Sequence, residues 1–222
     1  MIRSEEFDLR EGLVYDPYVK AYDSNFWKGD TANSVFDTGK NVITIGDTGL
    51  VGAITSYSQY LYGDFEFTIK SDSLSPDSND SVKFFGLLNP GDTLRRGAAF
   101  FDMSFDSSTG ADTTIVRPFR AVIYSETGTR QRKNITWDTL WVSGNTSNPR
   151  FRIKWESDGY RFLVNDTVYA TLGDRPDSAN STFQINTSIP QAIRLVNRSL
   201  DTTDCSCTSL SLLNIRNARK VI

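Results

Sequence analysis

Short stretches in which apolar and polar residues alternate follow one another along most of this chain. The clearest begins where Phe151, Ile153 and Trp155 alternate with charged neighbours. An Asp-Gly pair at 158–159 separates it from a second alternating stretch at 160–164. Side chains of a strand point to opposite faces in turn, and Asp-Gly is a favoured hairpin turn. The pattern predicts a β-hairpin in a sheet with one buried and one solvated face.

Similar segments recur at intervals of roughly ten to fifteen residues, and none keeps a helical apolar period for more than about two turns. The predicted strands are 34–37, 40–45, 52–57, 62–70, 82–88, 98–105, 119–125, 134–142, the 151–170 hairpin, 182–186, 192–197 and 206–216. About a dozen strands are too many for one open sheet, so we expect an all-β sandwich of two antiparallel sheets. Residues 1–25 lack the alternation and are predicted to form an irregular N-terminal arm, with 26–222 as the sandwich domain.

The charge balance excludes strongly electrostatic partners. The 222 residues include 24 basic and 27 acidic ones, for a formal net charge of -3. A field this weak does not gather nucleic acid or an anionic membrane, so we expect neither as a partner. The local exception is the basic run 130–133, which we predict on a solvated loop tip.

The chain contains no histidine, and its two cysteines are Cys205 and Cys207. Without histidine, Ser-His-Asp and Cys-His triads and all His-ligated metal sites are excluded. The cysteines are spaced to lie on one face of a strand, where a strained short-loop disulfide is an alternative to the free thiols that we predict.

Several loose motifs share an order and a spacing that carry information. They are Trp27, the strand 62–70, Phe84–Leu87, Ala98–Phe101, the hairpin within 152–164 and a final strand through 210–213. In this order they resemble the concanavalin A-like lectin/glucanase superfamily. The resemblance implies a jelly-roll sandwich of two antiparallel sheets.

The resemblance also defines which catalytic groups to look for. Superfamily members similar to family 16 glycoside hydrolases carry a Glu-x-Asp-x-x-Glu strand motif, and this chain departs from it because Arg161 stands where the second glutamate of a motif starting at Glu156 would be. Asp102 and Asp106 share a strand face but would lie roughly 13 to 14 Å apart, too far for paired acid/base chemistry. We therefore predict no catalytic residue and no enzyme activity. A lyase using Tyr124 with Arg120 and Arg130 stays open.

Glycan binding fits the aromatic and polar residues better. Sandwiches of this superfamily hold sugars on the concave sheet or its rim loops by stacking on aromatic rings. The candidate ligand-binding residues are Tyr124, Trp137, Trp141, Arg130 and Asn134. Trp137 and Trp141 are spaced to share one side of a strand, and their packing in the core is the open alternative.

A structural calcium ion is common in the superfamily, but the sequence does not place one. The best cluster of oxygen ligands is Asp77, Asn79 and Asp80, and polar turns have the same composition. No cofactor and no metal site are predicted.

These observations favour a non-catalytic attachment protein of a larger assembly. The chain begins at Met1 without a leader. We therefore expect a bacteriophage virion component (capsid decoration, head fibre or tail adhesin), made in the host cytoplasm and docked to other virion proteins through the N-terminal arm. We expect a homo-oligomer that also binds cell-surface glycans. The alternatives are a secreted, stand-alone lectin module and a polysaccharide lyase or glycoside hydrolase of the same fold.

Overall fold

A computed structural model describes a chain built of β-strands. It describes residues 7–8, 27–29, 34–37, 42–45, 52–69, 81–103, 119–135, 148–157, 159–173, 175–176, 182–185, 188–199 and 210–217. The predicted arm and domain division therefore fall largely outside the described residues, and so do Cys205, Cys207 and the cluster at residues 77–80.

Seventeen strands are defined in these ranges. They are β1 Phe7–Asp8, β2 Trp27–Gly29, β3 Ser34–Asp37, β4 Val42–Ile45, β5 Gly52–Tyr60, β6 Gly63–Ile69, β7 Ser81–Leu88, β8 Ala99–Asp102, β9 Phe119–Tyr124, β10 Arg130–Ile135, β11 Arg150–Glu156, β12 Gly159–Val164, β13 Thr167–Gly173, β14 Arg175–Pro176, β15 Thr182–Phe183, β16 Gln191–Ser199 and β17 Leu210–Asn217. No helix able to cross a membrane occurs in these ranges.

The strands form two large sheets that pack face to face. One has eight strands in the order β13-β12-β11-β6-β17-β4-β3, with β1 paired to β17, and the other has seven in the order β10-β9-β8-β7-β16-β5-β2. β14 and β15 form a separate small ribbon. Neighbouring strands run antiparallel. The predicted all-β, two-sheet sandwich is confirmed.

Aromatic rings from both sheets fill the space between them. Phe101 of β8 contacts Phe85 and Phe119 of its own sheet at centroid distances of 5.4 and 5.3 Å. It also contacts Phe151 and Phe162 of the facing sheet at 5.2 and 5.1 Å. All five side chains are essentially buried. Stacked and edge-on ring pairs of this kind add to the stability gained from burial alone, so this cluster is the centre of the core.

The hairpin predicted from alternation is confirmed. β11 and β12 pair along their length, with Glu156 opposite Gly159. Phe151, Ile153 and Trp155 are buried, whereas the charged residues between them face solvent.

A second hairpin follows at once and was missed. Val164 pairs with Thr167, so Asn165 and Asp166 alone form the turn between β12 and β13. Both have positive φ, at 47° and 66°. A two-residue type I′ turn requires positive φ at both central positions, and Asn and Asp tolerate it best after Gly. The segment 151–170 is therefore three strands rather than two.

The prediction that the basic run 130–133 lies on a loop is wrong. Of the strand predicted at 134–142, residues 134–135 belong to β10 and residues 136–142 lie outside the described residues. β10 covers Arg130–Ile135 and pairs with β9 at every position. It is the edge strand of its sheet. Edge strands accommodate charged residues because half of their side chains face solvent, and such charges also discourage pairing with other chains. Gln131 points the other way and donates through Nε2 to the carbonyl of Gly173 on β13, at 3.4 Å.

The outer face of the eight-stranded sheet carries balanced charges. Arg152 makes a two-pronged ion pair with Asp64, with Nε 2.6 Å from Oδ1. Arg161 lies 2.9 Å from Glu156 and Arg150 lies 2.6 Å from Asp166. The hydrogen bond to Asp64 raises the pKa of Arg152 although partial burial opposes the shift. Each of these arginines thus has a carboxylate partner.

Candidate functional site

The outer face of the seven-stranded sheet differs from the rest of the surface. On β8, Ala99 and Phe101 point into the core, so Phe100 and Asp102 point outward. Phe100 belongs to a second apolar cluster, separate from the core, together with Phe84, Leu88, Ala98, Val122 and Val196. We call the residues on this side of the sheet the outward face.

Cross-strand pairing arranges the outward face in rows. One row runs Asn134, Arg120, Asp102, Phe84, Val196 and Ala53. The next runs Arg132, Val122, Phe100, Gly86, Arg194, Thr55 and Lys28. Arg130 and Tyr124 form a pair in a third row. Three of the candidate ligand-binding residues, Tyr124, Arg130 and Asn134, thus share one face. Trp137 and Trp141 lie outside the described residues.

An aromatic ladder crosses three strands of this face. The ring centroids of Phe84 and Phe100 are 5.1 Å apart. Those of Phe100 and Tyr124 are 6.1 Å apart, with the rings within 25° of parallel. The guanidinium of Arg95 lies over the Tyr124 ring, 5.9 Å from its centroid. Tyr124 is half-buried and exposes the end of the ladder to solvent.

The charges of the outward face are mostly positive. Among the described strand residues of this face, Asp102 is the only carboxylate, and its Oδ2 lies 3.9 Å from Nε of Arg120. The same strands carry Lys28, Arg120, Arg130, Arg132 and Arg194, and the loop before β8 adds Arg95. The sequence prediction named Arg130 as a ligand-binding candidate and Arg120 only for the lyase alternative, and it missed Lys28, Arg95, Arg132 and Arg194.

Arg194 is the most unusual of them. It is half-buried, and its buried Nε has no hydrogen-bond partner in the described part of the chain. Burial lowers the pKa of Arg194, and the positive charge of Arg95 lowers it further. Its neighbours in the row are Gly86 and Thr55, neither of which supplies a negative charge.

The loop that presents Arg95 is fixed to both sheets. Tyr160 of the eight-stranded sheet donates its hydroxyl to the carbonyl of Gly97, at 2.8 Å. Gln191 of β16 donates to the carbonyl of Arg96, at 3.1 Å. Arg95 itself has a φ of 55°, a conformation that its fixed neighbours must maintain. These contacts make the position of Arg95 a consequence of the sandwich packing.

Tyr160→Phe is expected to lower the free energy of unfolding by about 1 kcal/mol at pH 8, because the buried Gly97 carbonyl loses its donor. Burial raises the pKa of Tyr160 well above its usual value, and Tyr62 adds to the shift. The unfolded chain, in which a tyrosine has a pKa of about 10, therefore ionises first, and the stability contributed by Tyr160 is lost as the pH rises above that value. Urea unfolding at pH 8 and 10.5 should show a smaller alkaline loss in the variant. Equal losses in both proteins would contradict this.

Paired carboxylates are not found on the described outward face. Retaining glycosidases need two carboxyl groups about 5 to 5.5 Å apart, and inverting ones about 6.5 to 9.5 Å apart. The positions nearest to Asp102 on its own and adjacent strands are Phe100, Phe84 and Arg120. Asp106 lies outside the described residues. Glu156 is on the other sheet, paired with Arg161.

The described residues contain no group of three or more Cys, Asp or Glu side chains that could hold a metal ion. The oxygen-ligand cluster of Asp77, Asn79 and Asp80 lies outside these residues.

Solved structures similar to this chain reveal its fold. A family 16 glycosyl hydrolase protein of Mycobacterium smegmatis matches at a TM-score of 0.62 and 14% identity, over 92% of this chain and 96% of that one. The laminarinase of Rhodothermus marinus matches at a TM-score of 0.63 and 14% identity, over 96% of each chain. The fold of this chain is that of the family 16 glycosyl hydrolases. This is a concanavalin A-like jelly roll, as the sequence resemblance implies.

A third similar structure is described as an immunostimulatory antigen and pseudo-β-1,3-glucanase of Mycobacterium tuberculosis. It matches at a TM-score of 0.65 and 12% identity, over 94% of this chain and 97% of that one. No protein-family model matches the chain, and no curated protein matches it.

The interpretation of the chain as a bacteriophage virion component is wrong. Solved structures that match nearly the whole length of this chain include proteins described as a glycosyl hydrolase, a β-1,3-glucanase, a laminarinase and a pseudo-β-1,3-glucanase. They favour the alternative of a glycoside hydrolase-like protein. The interpretation failed because it depended on where the given sequence begins and on the composition of residues 1–25, and neither of these determines a function.

Proposed function

We propose that this protein binds a polysaccharide on the outward face of its seven-stranded sheet and does not hydrolyse it. One observation carries the proposal: the described part of this face combines the half-buried ring of Tyr124 and several cationic donors with a single carboxylate, Asp102. Rings stack on the apolar faces of sugars, and guanidinium and amide groups bind hydroxyls. The described part of the face thus has the groups for binding and a single carboxylate rather than a pair.

The similar structures support the polysaccharide as ligand class. Glucanases and laminarinases of this fold act on β-glucans by name, and the pseudo-glucanase shows by its name that one fold serves proteins with and without turnover. In this chain Phe100 and Ala98 occupy the outward positions beside Asp102 on the same strand. Phe100 is buried in the second apolar cluster, and an apolar ring at this position cannot transfer a proton.

Hydrolysis is the second candidate, favoured by Asp102 itself. A carboxylate on a central strand of the outward face would serve as one half of a pair if a second carboxylate came from outside the described residues. Reducing-sugar release from laminarin and lichenan, with Asp102→Asn as control, separates the candidates. Turnover by the wild type that Asp102→Asn abolishes would establish the hydrolase and refute our proposal.

Tyr124→Ala is expected to weaken polysaccharide binding about tenfold, because it removes the exposed end of the ladder, and ring contacts of this kind contribute about 0.5 to 1.5 kcal/mol beyond burial. Affinity gel electrophoresis in gels containing single polysaccharides measures the effect. Tyr124→Phe keeps the ring and should retain most of the binding. Retention of full affinity by Tyr124→Ala would place the site elsewhere, and a wild type that no polysaccharide retards would refute the proposed function.

A further inference from the structure

The arginines on the two outer faces of the sandwich differ in whether they have carboxylate partners. On the eight-stranded sheet Arg150, Arg152 and Arg161 each lie within 3 Å of a carboxylate. On the outward face of the seven-stranded sheet, Arg130 and Arg194 have no carboxylate partner among the described residues. The net charge of -3 does not reveal this difference, because the acidic excess lies elsewhere in the chain.

The surroundings of the Arg194 guanidinium favour the binding of an anion. A guanidinium that is half removed from water loses hydration and usually regains it through a carboxylate or a hydrogen bond. The Nε of Arg194 has neither in the described part of the chain, and its nearest charged influence is Arg95, which has the same sign. Folding brings these two cations together, and neither has a carboxylate partner in the described part of the chain. A ligand that supplies negative charge would relieve their repulsion.

A ligand can reach Arg194 from the solvent side of the sheet, where part of its side chain stays exposed. Its neighbour in the row, Gly86, is buried against β8, because a Cβ there would lie 2.5 Å from the carbonyl oxygen of Ala99. Arg132 lies at the far end of the same row, four strands away, or roughly 19 Å at about 4.8 Å per strand. Cations at these two positions of one row suit an extended chain that carries charges at intervals.

We propose that the polysaccharide bound on the outward face is anionic, and that Arg194, Arg95 and Arg130 bind its sulfate or carboxylate groups. This inference rests on the proposed function and specifies its ligand class. Guanidinium groups bind both oxyanions through paired hydrogen bonds, so the two anions share the same recognition chemistry. Tyr124, next to Arg130 and beneath Arg95, supports the sugar ring that carries the charge.

The experiment compares polymers that share a backbone and differ in charge. Affinity electrophoresis with laminarin, sulfated laminarin and carboxymethylated laminarin is run at 0.05 and 0.5 M NaCl. We expect a charged laminarin to bind at least tenfold more tightly than the neutral one at low salt, and the difference to shrink at high salt because the Debye length falls to about 4 Å. The sulfated and carboxymethylated arms identify the preferred anion.

Charge-removing variants locate the site. Arg194→Gln should lower the affinity for the charged laminarin about tenfold and leave that for neutral laminarin unchanged. Arg161→Gln, which removes the same charge from the opposite sheet, is the matched control and should have little effect. Arg130→Gln on the exposed edge strand gives a second measurement in case Arg194→Gln does not fold.

Four outcomes would overturn the inference. Equal binding of neutral and charged laminarin would show a neutral ligand while leaving the proposed function intact. Equal weakening by Arg194→Gln and Arg161→Gln would show unspecific attraction. Tighter binding of a single-stranded DNA oligonucleotide than of any charged laminarin would assign the cations to nucleic acid. Binding of no polysaccharide at all would refute both proposals together.

Discussion

Replacing Gly86 with alanine is expected to prevent folding or to destabilise the protein by about 3 kcal/mol or more, which combines overpacking with backbone strain. A Cβ atom at this position would lie 2.5 Å from the carbonyl oxygen of Ala99 and 2.6 Å from the Cα of Phe100. The φ of Gly86 is 155°, where side-chain-bearing residues are rarely found. The backbone of β8 is fixed by pairing on both sides, so it cannot move away.

Soluble yield, circular dichroism and urea unfolding measure this effect. Gly91→Ala is the matched control, because a Cβ there approaches only the Asn89 side chain, at 3.4 Å. That variant should differ from the wild type by less than about 0.5 kcal/mol. A Gly86→Ala protein with wild-type stability would mean that β7 and β8 do not approach as closely as described.

Phe101→Ala is expected to lower the free energy of unfolding by about 3 to 5 kcal/mol, the usual range for a large aromatic residue removed from a core. The reason lies in its contacts: the ring touches Phe85 and Phe119 in one sheet and Phe151 and Phe162 in the other. The cavity would lie between sheets that are both held by hydrogen-bonded ladders, so collapse around it is limited.

Chemical denaturation monitored by circular dichroism tests this, with Tyr57→Ala as control. Tyr57 is an aromatic residue of the same sheet with 55% of its surface exposed. Its loss should change the unfolding free energy by about 0.5 kcal/mol or less. If both variants lost similar amounts, the aromatic cluster would not be the centre of the core.

Strands could be predicted from the sequence where apolar and polar residues alternate strongly, and the prediction failed where this alternation is weak. The buried faces of β11 and β6 follow from apolar residues at every second position, such as Phe65 and Phe67. β10 was missed because Ile135 is its sole buried residue and the rest are charged or polar. The turn at Asn165 and Asp166 was missed because no glycine marks it, so the segment 160–170 was interpreted as one continuous strand.

The candidate site could be predicted in part for a similar reason. Tyr124, Arg130 and Asn134 lie on adjacent strands of one hairpin, so sequence proximity was enough to group them. Arg194 reaches the same face because β16 pairs with β7 on one side and β5 on the other. Alternation shows which face of a strand is polar, but it does not give the order of strands in a sheet. The sequence of β16 therefore did not indicate that Arg194 belongs to the candidate site.

The hydrogen bond from Gln131 to Gly173 affects how this protein associates with other copies of itself. It joins β10, the edge strand of one sheet, to β13, the edge strand of the other, so the two sheets are connected on this flank. A second molecule that added a strand to either sheet here would have to break this hydrogen bond and remove water from Arg130 and Arg132. Amyloid-like growth and strand exchange are thereby hindered on this side.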